Sequence, residues 1–376
     1  MKDSDPPSRS FLEFFAGGGM ARLGLAAGWR CLFANDVDAK KCASYRANFG
    51  GEHLIEADIA SLTRRSLPER RADLAWASFP CQDLSLAGAR TGLSGARSGL
   101  FFEFMRLIAE LRAGAPRLIV LENVCGLLTS HGGADFRAIV EALIEAGYIA
   151  SALVIDAKAF TPQSRPRLFI FGFRDGGGAF GARPSPDEFT PRSLIRSIDA
   201  LPAIAVRRWR WLGGRLARTR NVSLADVLDA DADWSRAAGA RALALMSAQQ
   251  RTAADALLKS GDTHIGAAFR RIRIERGRRV QRLEARFDGL AGCLRTPAGG
   301  SSRQILLRIE GGEIFARLLN PREAARLMGV PDDYLLPEGA TDALRLVGDG
   351  VCAPVVRWIA EEILAPALSR SAAAAA

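Results

Sequence analysis

The sequence predicts an α/β protein with a mostly parallel sheet, helices on both faces of that sheet, and a smaller mixed domain rich in arginine. Three observations support this fold class. Short apolar segments alternate with helical patterns up to about residue 175, as in successive β-α-β units. That alternation stops from residue 192, and the excess positive charge lies beyond it.

Apolar segments predict seven strands and helical spacing predicts four helices between them. The strands are expected at 9–15, 31–34, 53–55, 74–77, 118–121, 152–156 and 168–173. The helices are expected at 20–27, 39–48, 101–111 and 136–146. In an open α/β sheet ligands bind beyond the carboxyl ends of the strands, so the residues at those ends are the candidate site.

The regular alternation of strands and helices is not found in the second half of the chain. Residues 174–191 are rich in Gly and Pro and predict a linker. Segments 269–276 and 279–287 alternate apolar and polar residues around Gly277, which predicts a basic β-hairpin. Helical patterns return at 318–328 and 351–364, and the tail 371–376 is expected to be disordered.

Composition excludes several classes. The chain has 376 residues, 48% hydrophobic and 24% charged, which suits a folded protein of one large or two medium domains. It has no uncharged apolar run long enough to cross a membrane and no apolar secretory core near its start, so a cytoplasmic protein is expected. None of its six cysteines forms a CxxC pair, so we predict free thiols and no metal site.

The net charge of +10 is concentrated in one segment. Residues 200–310 contain 21 basic and 10 acidic residues, whereas the rest of the chain contains 30 basic and 31 acidic residues. A basic segment beside a near-neutral body suggests a polyanionic partner. The alternative is a solvated arginine-rich surface.

The first strand end carries a candidate cofactor site. Gly17–Gly19 follow strand 9–15, and Asp36 lies 19 residues after Gly17, at the spacing of a ribose-binding acid. The glycines do not form GxGxxG, which argues against a pyrophosphate and therefore against NAD or FAD. S-adenosylmethionine, which has a ribose and an adenine but no phosphate, fits better. The glycines could also simply close a turn, and Asp58 could bind adenine or cap a helix.

Other strand ends carry candidate chemistry. Cys81 follows Pro80 after strand 74–77 and precedes a glycine-punctuated loop, as a nucleophile beneath a lid would, although a lone cysteine is usually inert. Glu122 ends the next strand and could act as an acid toward a ring nitrogen. Arg165 and Arg167, two residues apart, could clamp a phosphate or an acidic partner, or form surface salt bridges.

Together these segments resemble the C5-cytosine DNA methyltransferase family of bacterial type. The resemblance covers about residues 10–175 and 290–365, with motifs in the family's order. The matching segments are Phe14-Phe15-Ala16-Gly17, Asn35-Asp36-Val37, Asp58-Ile59, Phe79-Pro80-Cys81-Gln82, Glu122-Asn123-Val124, Gln163-Ser164-Arg165-Pro166-Arg167, Arg317 to Pro331, and Gly348-Asp349-Gly350-Val351.

The resemblance implies a Rossmann-like, S-adenosylmethionine-dependent fold and a role for each matching residue. The implied catalytic residues are Cys81, Glu122 and Arg165, with Arg165 holding Glu122 or the base. The implied cofactor residues are Phe15, Ala16, Gly17, Gly19, Asp36, Val37, Asp58, Ile59, Pro80 and Asp349. The implied nucleic-acid contacts are Gln82, Ser85, Arg97, Arg167, Arg271, Arg273 and Arg303.

The domain boundaries follow from the same resemblance. Residues 1–175 would form the catalytic and cofactor domain, and the basic region 176–316 the target-recognition domain. Residues 317–370 would return to the catalytic domain. The chain departs from the family pattern at Glu13, Met20, Asp36, Val37 and Asp349, where the family usually has Asp, Gly, Glu, an aromatic residue and Asn.

The implied activity is methylation of carbon 5 of a cytosine flipped out of double-stranded DNA at a short specific sequence, through a covalent Cys81 intermediate. S-adenosylhomocysteine would be the by-product. A monomer in the bacterial cytoplasm, at the nucleoid, is expected, with a cognate restriction endonuclease acting independently. Three alternatives stay open: a tRNA C5-cytosine methyltransferase of the same fold, a catalytically silent DNA-binding relative, and an NAD-dependent dehydrogenase.

Overall fold

The computed structural model describes residues 9–80, 99–213, 220–295 and 303–375. The chain folds into two compact units. The first comprises residues 1–155, 166–217 and 351–376, and the second comprises 156–165 and 218–350. The predicted boundaries at 175 and 316 differ from these, because 176–217 packs with the first unit and 317–350 with the second.

The first unit is built on a seven-stranded sheet in the order β3-β2-β1-β4-β5-β7-β6. Its strands are β1 Arg9–Phe14, β2 Trp29–Asp36, β3 Leu54–Glu56, β4 Leu74–Ala77, β5 Leu118–Val124, β6 Ile149–Asp156 and β7 Pro166–Phe173. The pairings of β1, β2, β3, β4 and β5 are parallel, and β7 runs antiparallel to β5. The predicted seven strands and their mostly parallel arrangement are confirmed.

Helices cover both faces of this sheet. Those that follow the strands are α1 Met20–Leu25, α2 Ala39–Phe49, α3 Leu100–Glu110 and α4 Ala134–Glu145. Leu12 and Phe14 of β1 point into the core formed with α3 and α4, where Phe14 packs edge-to-face on Phe104 at 5.0 Å. Ala34 of β2 packs with Tyr45 of α2 in a separate cluster. Side chains of the strands are therefore buried in two separate apolar clusters, as expected for a parallel sheet with helices on both faces.

The region predicted as a linker, 174–191, contains the short strand β8 Phe180–Gly181. It is followed by further short elements of the first unit, α5 Arg192–Asp199, α6 Ala203–Arg208 and β9 Trp211–Leu212. Leu194, Ile198 and Trp209 of this region are buried in the main core.

The second unit is an antiparallel four-stranded sheet packed against helices. Its elements are α7 Arg236–Ala244, α8 Ala248–Ser260, β10 His264–Glu275, β11 Arg278–Arg286, β12 Ile305–Glu310, β13 Glu313–Leu318, α9 Pro321–Leu327 and α10 Ala340–Asp349. The strand order is β11-β10-β12-β13. The predicted hairpin is confirmed, with Arg276 and Gly277 both at positive φ in a tight turn.

The chain returns to the first unit through α11 Ala353–Ile359, a π-helical turn Ala360–Leu364 and α12 Ala365–Ala375. The prediction of a disordered tail is therefore wrong for residues 371–375. Alanine has the highest helix propensity, so an alanine-rich tail prolongs a helix that is already packed. Within the described residues, no helix combines the length and apolarity that crossing a membrane requires.

Candidate active site

The candidate site lies at the carboxyl ends of four neighbouring strands of the first unit. β2, β1, β4 and β5 are adjacent and parallel, so the residues that follow them lie along one edge of the sheet. That edge carries Gly17 after β1, Asp36 at the end of β2, Pro80 after β4 and Glu122 in β5. Residues separated by up to about a hundred positions in sequence therefore share one edge, as ligand sites of open α/β sheets do.

The turn after β1 adopts a backbone that glycine favours. Phe15, Gly17 and Gly19 all have positive φ, at 56°, 57° and 75°. The space beside Gly17 is open, since a β-carbon there would meet nothing within 4 Å, whereas one at Gly19 would overlap the ring of Phe49. The Ala16 N–H donates to Asn35 O at 2.9 Å, which fixes the turn to β2. The turn thus presents backbone to an open space.

Asp36 links this turn to the end of β2. Its Oδ2 accepts the Gly17 N–H at 2.8 Å and its Oδ1 accepts the Asp38 N–H at 2.9 Å, so the carboxylate is held in one orientation. Neighbouring Val37 is 68% exposed, unusually high for a large apolar side chain. An anchored carboxylate beside open space and an exposed apolar side chain is a set that fits the ribose and adenine of an adenosine group.

Asp58 and Ile59, predicted to contact the adenine, have structural tasks as well. Asp58 Oδ1 accepts the Ala60 N–H at 2.9 Å and caps a short 3₁₀ turn, which is the alternative that the sequence left open. The side chain of Ile59 is buried in the main core. Only the backbone of Ile59 and the second oxygen of exposed Asp58 could therefore face a ligand.

The predicted nucleophile lies outside the described residues, as do Gln82, Ser85 and Arg97. The described segment after β4 ends at Pro80, one residue before Cys81, and a hydrogen bond holds it at Phe79. Asn123 Nδ2 donates to Phe79 O at 3.1 Å, and Asn123 is 5% exposed. Sequence reasoning missed this contact, although Asn123 stands beside Glu122 in the matching motif.

Glu122 carries an ion pair with Arg167. The Arg167 Nε lies 3.3 Å from Glu122 Oε1, and both side chains are mostly buried. β5 and β7 are antiparallel neighbours in which Glu122 pairs with Phe169, so Arg167 lies two residues along β7 on the same face. Arg167 therefore lies next to Glu122, in the place that the resemblance implied for Arg165.

Arg165 is committed to the second unit. It is 2% exposed, and its guanidinium donates to the carbonyl oxygens of Leu294 at 3.0 Å, Gly348 at 2.9 Å and Gly350 at 2.8 Å. β7 begins at Pro166, so Arg165 precedes the strand whereas Arg167 lies in it, and the two side chains have different partners.

Two further residues of the matching motifs also act within the second unit. Gln163 is fully buried and joins two segments, donating to Leu327 O at 2.9 Å and accepting the Leu294 N–H at 3.1 Å. Asp349 is the exposed last residue of α10, between the two glycines whose carbonyls bind Arg165. Its predicted role toward a cofactor carboxylate stays a prediction.

A buried polar network underlies the turn after β1. Glu13 Oε1 accepts the Arg22 N–H at 3.3 Å, while its Oε2 is buried and has no hydrogen-bond partner among the described residues. The Arg22 guanidinium contacts the Tyr45 hydroxyl at 3.1 Å and the His53 ring. Burial raises the pKa of Glu13 to about 8, against the opposing effect of the Arg22 N–H and charge. Glu13 is therefore largely protonated at neutral pH.

The predicted nucleic-acid contacts of the hairpin are occupied by acidic neighbours. Arg271 Nε lies 3.5 Å from Glu284 Oε2, and Arg273 pairs with the other oxygen of the same carboxylate. Arg303 donates to Leu319 O at 3.2 Å. Arg271 and Arg273, already paired with Glu284 of the neighbouring strand, are poorer candidates for phosphate contacts than the prediction assumed.

Comparisons with known proteins identify a family for this chain. A family model described as C-5 cytosine-specific DNA methylase matches residues 9–365. Type II methyltransferase M.NlaX of Neisseria lactamica is 29% identical over 358 residues, covering 94% of this chain and 96% of the relative. Type II methyltransferase M.HhaI of Haemophilus parahaemolyticus is 25% identical over 367 residues, covering 96% of each chain.

Solved structures support the fold. A Spodoptera frugiperda DNMT2 mutant superimposes with a TM-score of 0.60 at 17% identity, covering 93% of this chain and 98% of that one. The S. pombe Dnmt2 methyltransferase gives a TM-score of 0.56 at 16% identity, covering 93% and 96%.

Proposed function

The chain belongs to the C-5 cytosine-specific DNA methylase family, and we propose that it transfers a methyl group from S-adenosylmethionine to carbon 5 of a cytosine in double-stranded DNA. The target would be a short specific sequence. Because the reacting atoms lie inside a duplex, the cytosine must be flipped out before reaction, which costs a few kcal/mol.

One observation carries this proposal. The Asn123–Phe79 hydrogen bond joins the end of β5 to the segment that leads into Cys81, and Glu122 is the residue before Asn123. The segment that leads to the predicted nucleophile is therefore tied at Phe79 to the strand that carries the predicted acid, at the edge that also carries Gly17 and Asp36. An enzyme that must bring a thiol, an acid and a methyl donor to one ring needs this convergence.

Gly17, Asp36 and Val37 would hold the cofactor, with the Asp36 carboxylate accepting from the ribose hydroxyls and Val37 covering the adenine. When bound, S-adenosylmethionine supplies an electrophilic methyl group. We propose these contacts because the anchored carboxylate and the open space beside Gly17 fit an adenosine. No phosphate-binding pattern is needed for such a cofactor.

The chain's own residues would carry the remaining chemistry. The Cys81 thiolate would add to C6, and the electron pair of the C5–C6 double bond would become available at C5 to take the methyl group, with S-adenosylhomocysteine as the leaving group. Glu122 donates a hydrogen bond to N3 and stabilises the charge that addition places on the ring. Loss of the C5 proton to a base then returns the electron pair, the C6–S bond breaks, and the thiolate is regenerated. Arg167 Nε, 3.3 Å from Glu122 Oε1, would orient the side chain of Glu122 by donating to that oxygen, while Oε2 would carry the proton that Glu122 offers to N3.

Trapping of the covalent protein–DNA intermediate tests this proposal. Duplex DNA containing 5-fluorocytosine has no C5 proton to lose, so wild-type protein with S-adenosylmethionine should form a covalent adduct that survives denaturing electrophoresis. Cys81→Ser should form none, and Glu122→Gln should form it about 10²-fold more slowly. Absence of the wild-type adduct, or full-rate methylation by Cys81→Ser, would contradict the mechanism. Methylation of tRNA but not of duplex DNA would overturn the substrate.

A further inference from the structure

The β10–β11 hairpin has two chemically different faces. Cross-strand partners share a face, and the faces alternate along each strand. The register pairs Arg271 with Arg282 and Arg273 with Val280, whereas it pairs Ile272 with Gln281 and Ile274 with Arg279. We call the face of Arg271, Arg273, Glu275, Arg282 and Glu284 the ion-paired face. The face of Arg270, Ile272, Ile274, Arg279 and Gln281 is the apolar–basic face.

The ion-paired face is satisfied within the hairpin. Glu284 pairs with both Arg271 and Arg273, and the Arg282 Nε donates to Glu275 Oε1 at 2.7 Å. The acidic partner lowers the positive potential that each arginine could offer to a ligand. These contacts stiffen the two strands against each other, so this face supports the hairpin.

The apolar–basic face is open. Ile272 is 58% exposed and Ile274 is 78% exposed, although the same face is buried nearer the sheet at Ala268 and Leu283. Arg270 and Arg279 flank the isoleucines and are exposed, and within the described part of the chain no ion-pair or hydrogen-bond partner is found for either side chain. Two bare isoleucines between two available arginines are costly to leave in water unless a partner covers them.

We infer that the hairpin enters a groove of the DNA with its apolar–basic face, so that Ile272 and Ile274 meet base edges while Arg270 and Arg279 meet phosphates. This rests on the proposed function for its DNA substrate. It moves the contact from the predicted Arg271 and Arg273 to the opposite face of the same strands and makes the two isoleucines determinants of sequence specificity.

Charge and shape favour DNA over another occupant. The turn adds exposed Arg276, so with Arg270 and Arg279 this part of the hairpin presents three exposed arginines for which the described residues provide no ion-pair partner. A two-stranded ribbon fits the major groove, where an apolar side chain can pack on a thymine methyl group. A protein surface, including a second copy of this net positive chain, would have to supply the opposite charge.

The experiment compares the two faces in the full-length protein. Bisulfite sequencing of plasmid DNA methylated by the wild type maps the target site, and a short duplex with that site is the specific probe. Ile272→Thr/Ile274→Thr keeps β-branched residues in the strand. We expect it to weaken binding to this duplex about tenfold or more, and binding to a scrambled duplex by less than about threefold. Its bisulfite map should spread to sites that differ by one base pair.

A second variant tests the arginines of the apolar–basic face, and two matched controls change the ion-paired face. Arg270→Gln/Arg279→Gln should weaken binding to both duplexes and reduce the slope of log affinity against log salt by about two. Arg271→Gln/Arg273→Gln removes the same charge from the ion-paired face, and Val280→Thr is its apolar counterpart. Both should change binding by less than about threefold. Equal losses from the two faces would overturn the inference.

Failure of the inference can be told apart from failure of the proposed function. If wild-type protein methylates no plasmid cytosine at carbon 5, the proposed function is wrong. If the wild type methylates a defined site and Ile272→Thr/Ile274→Thr methylates only that site with equal efficiency, the inference alone is wrong. A change in the variant's oligomeric state with unchanged DNA binding would also overturn it, in favour of a contact between copies.

Discussion

Arg165 and Arg167 perform different tasks although only one residue separates them. Arg167 lies in β7 and pairs with Glu122 across the sheet. Arg165 precedes the strand, and its buried guanidinium holds three carbonyl oxygens of the second unit. A buried guanidinium with several carbonyl partners mainly stabilises structure, whereas one beside a candidate acid bears on chemistry.

Substituting Arg165 and Arg167 one at a time should show that the first supports stability and the second supports catalysis. Arg165→Ala leaves three carbonyls without their donor, so we expect a loss of about 3 kcal/mol or more in unfolding free energy. Arg167→Ala should instead lower the single-turnover methylation rate about tenfold, because Glu122 loses its orienting partner. Denaturant unfolding and rapid-quench methylation measure the two effects. A stability loss confined to Arg167→Ala would show that we have assigned the roles the wrong way round.

Glu13 makes stability depend on pH. Burial raises the pKa of Glu13 in the folded protein to about 8, so the native state keeps a proton that the unfolded chain releases near the ordinary glutamate pKa of 4.5. The unfolded state then binds fewer protons than the native state between those values. The contribution of Glu13 to stability is complete below about pH 4.5 and declines as the pH rises toward about 8.

Glu13→Gln should remove this decline. Glutamine can still accept the Arg22 N–H but does not ionise, so its unfolding free energy relative to wild type should rise by about 4 kcal/mol from pH 4.5 to pH 8. Urea unfolding across that pH range measures the difference. Parallel pH profiles for the two proteins would mean that Glu13 titrates normally.

At the scale of elements, one glycine sets the distance between two helices of the first unit. Gly24 of α1 faces α11, and a β-carbon there would overlap Val356 Cβ and the Ala353 carbonyl oxygen. α1 begins directly after Gly19, the last residue of the turn beside the candidate cofactor site. Close packing of these helices therefore fixes the helix from which that turn extends.

Gly24→Ala should disturb both stability and ligand binding. Overpacking of this kind costs about 1–3 kcal/mol, and we expect S-adenosylmethionine affinity to fall with it as α1 shifts. Gly28→Ala is the matched control, because a β-carbon at Gly28 meets nothing within 4 Å. Thermal unfolding and equilibrium binding of the cofactor provide the readouts. Equal behaviour of the two variants would contradict the packing argument.

At the scale of the whole molecule, charge is partitioned by segment. Of the ten acidic residues in 200–310, five form ion pairs with arginines of the same segment among the residues that the structure describes. Since basic residues outnumber acidic ones there by 21 to 10, many arginines remain for a partner. Such a surplus attracts a polyanion through release of its counterions.

Binding of the protein to duplex DNA should therefore weaken steeply with salt. Between about 50 and 200 mM we expect affinity to fall about 10³-fold, as for a protein with several phosphate contacts. Fluorescence anisotropy with a labelled duplex measures the slope. A flat titration would mean that the basic segment does not face DNA.

The local pattern of apolar and polar residues was sufficient to predict much of the fold. Strand and helix alternation predicted the mostly parallel sheet, and the apolar–polar alternation around Gly277 predicted the hairpin, because periodicity depends only on neighbours in sequence. The ordered motifs identified the family. The helices and strands between 192 and 318 were mostly missed, apart from the hairpin, since their apolar residues are few and their core forms by contact between distant segments.

Tertiary structure alone decided which of two similar side chains does which task. The sequence placed Arg165 and Arg167, and likewise Arg270 to Arg273, in the right segments without showing where each points. The register of β10 on β11 settled this for the hairpin, because a shift of one residue along a strand turns a side chain to the opposite face. For the other pair, Arg165 precedes β7 whereas Arg167 lies in it, and the two side chains have different partners. Likewise, Glu13 looks like an ordinary acid in sequence, and its raised pKa exists only because the fold buries it.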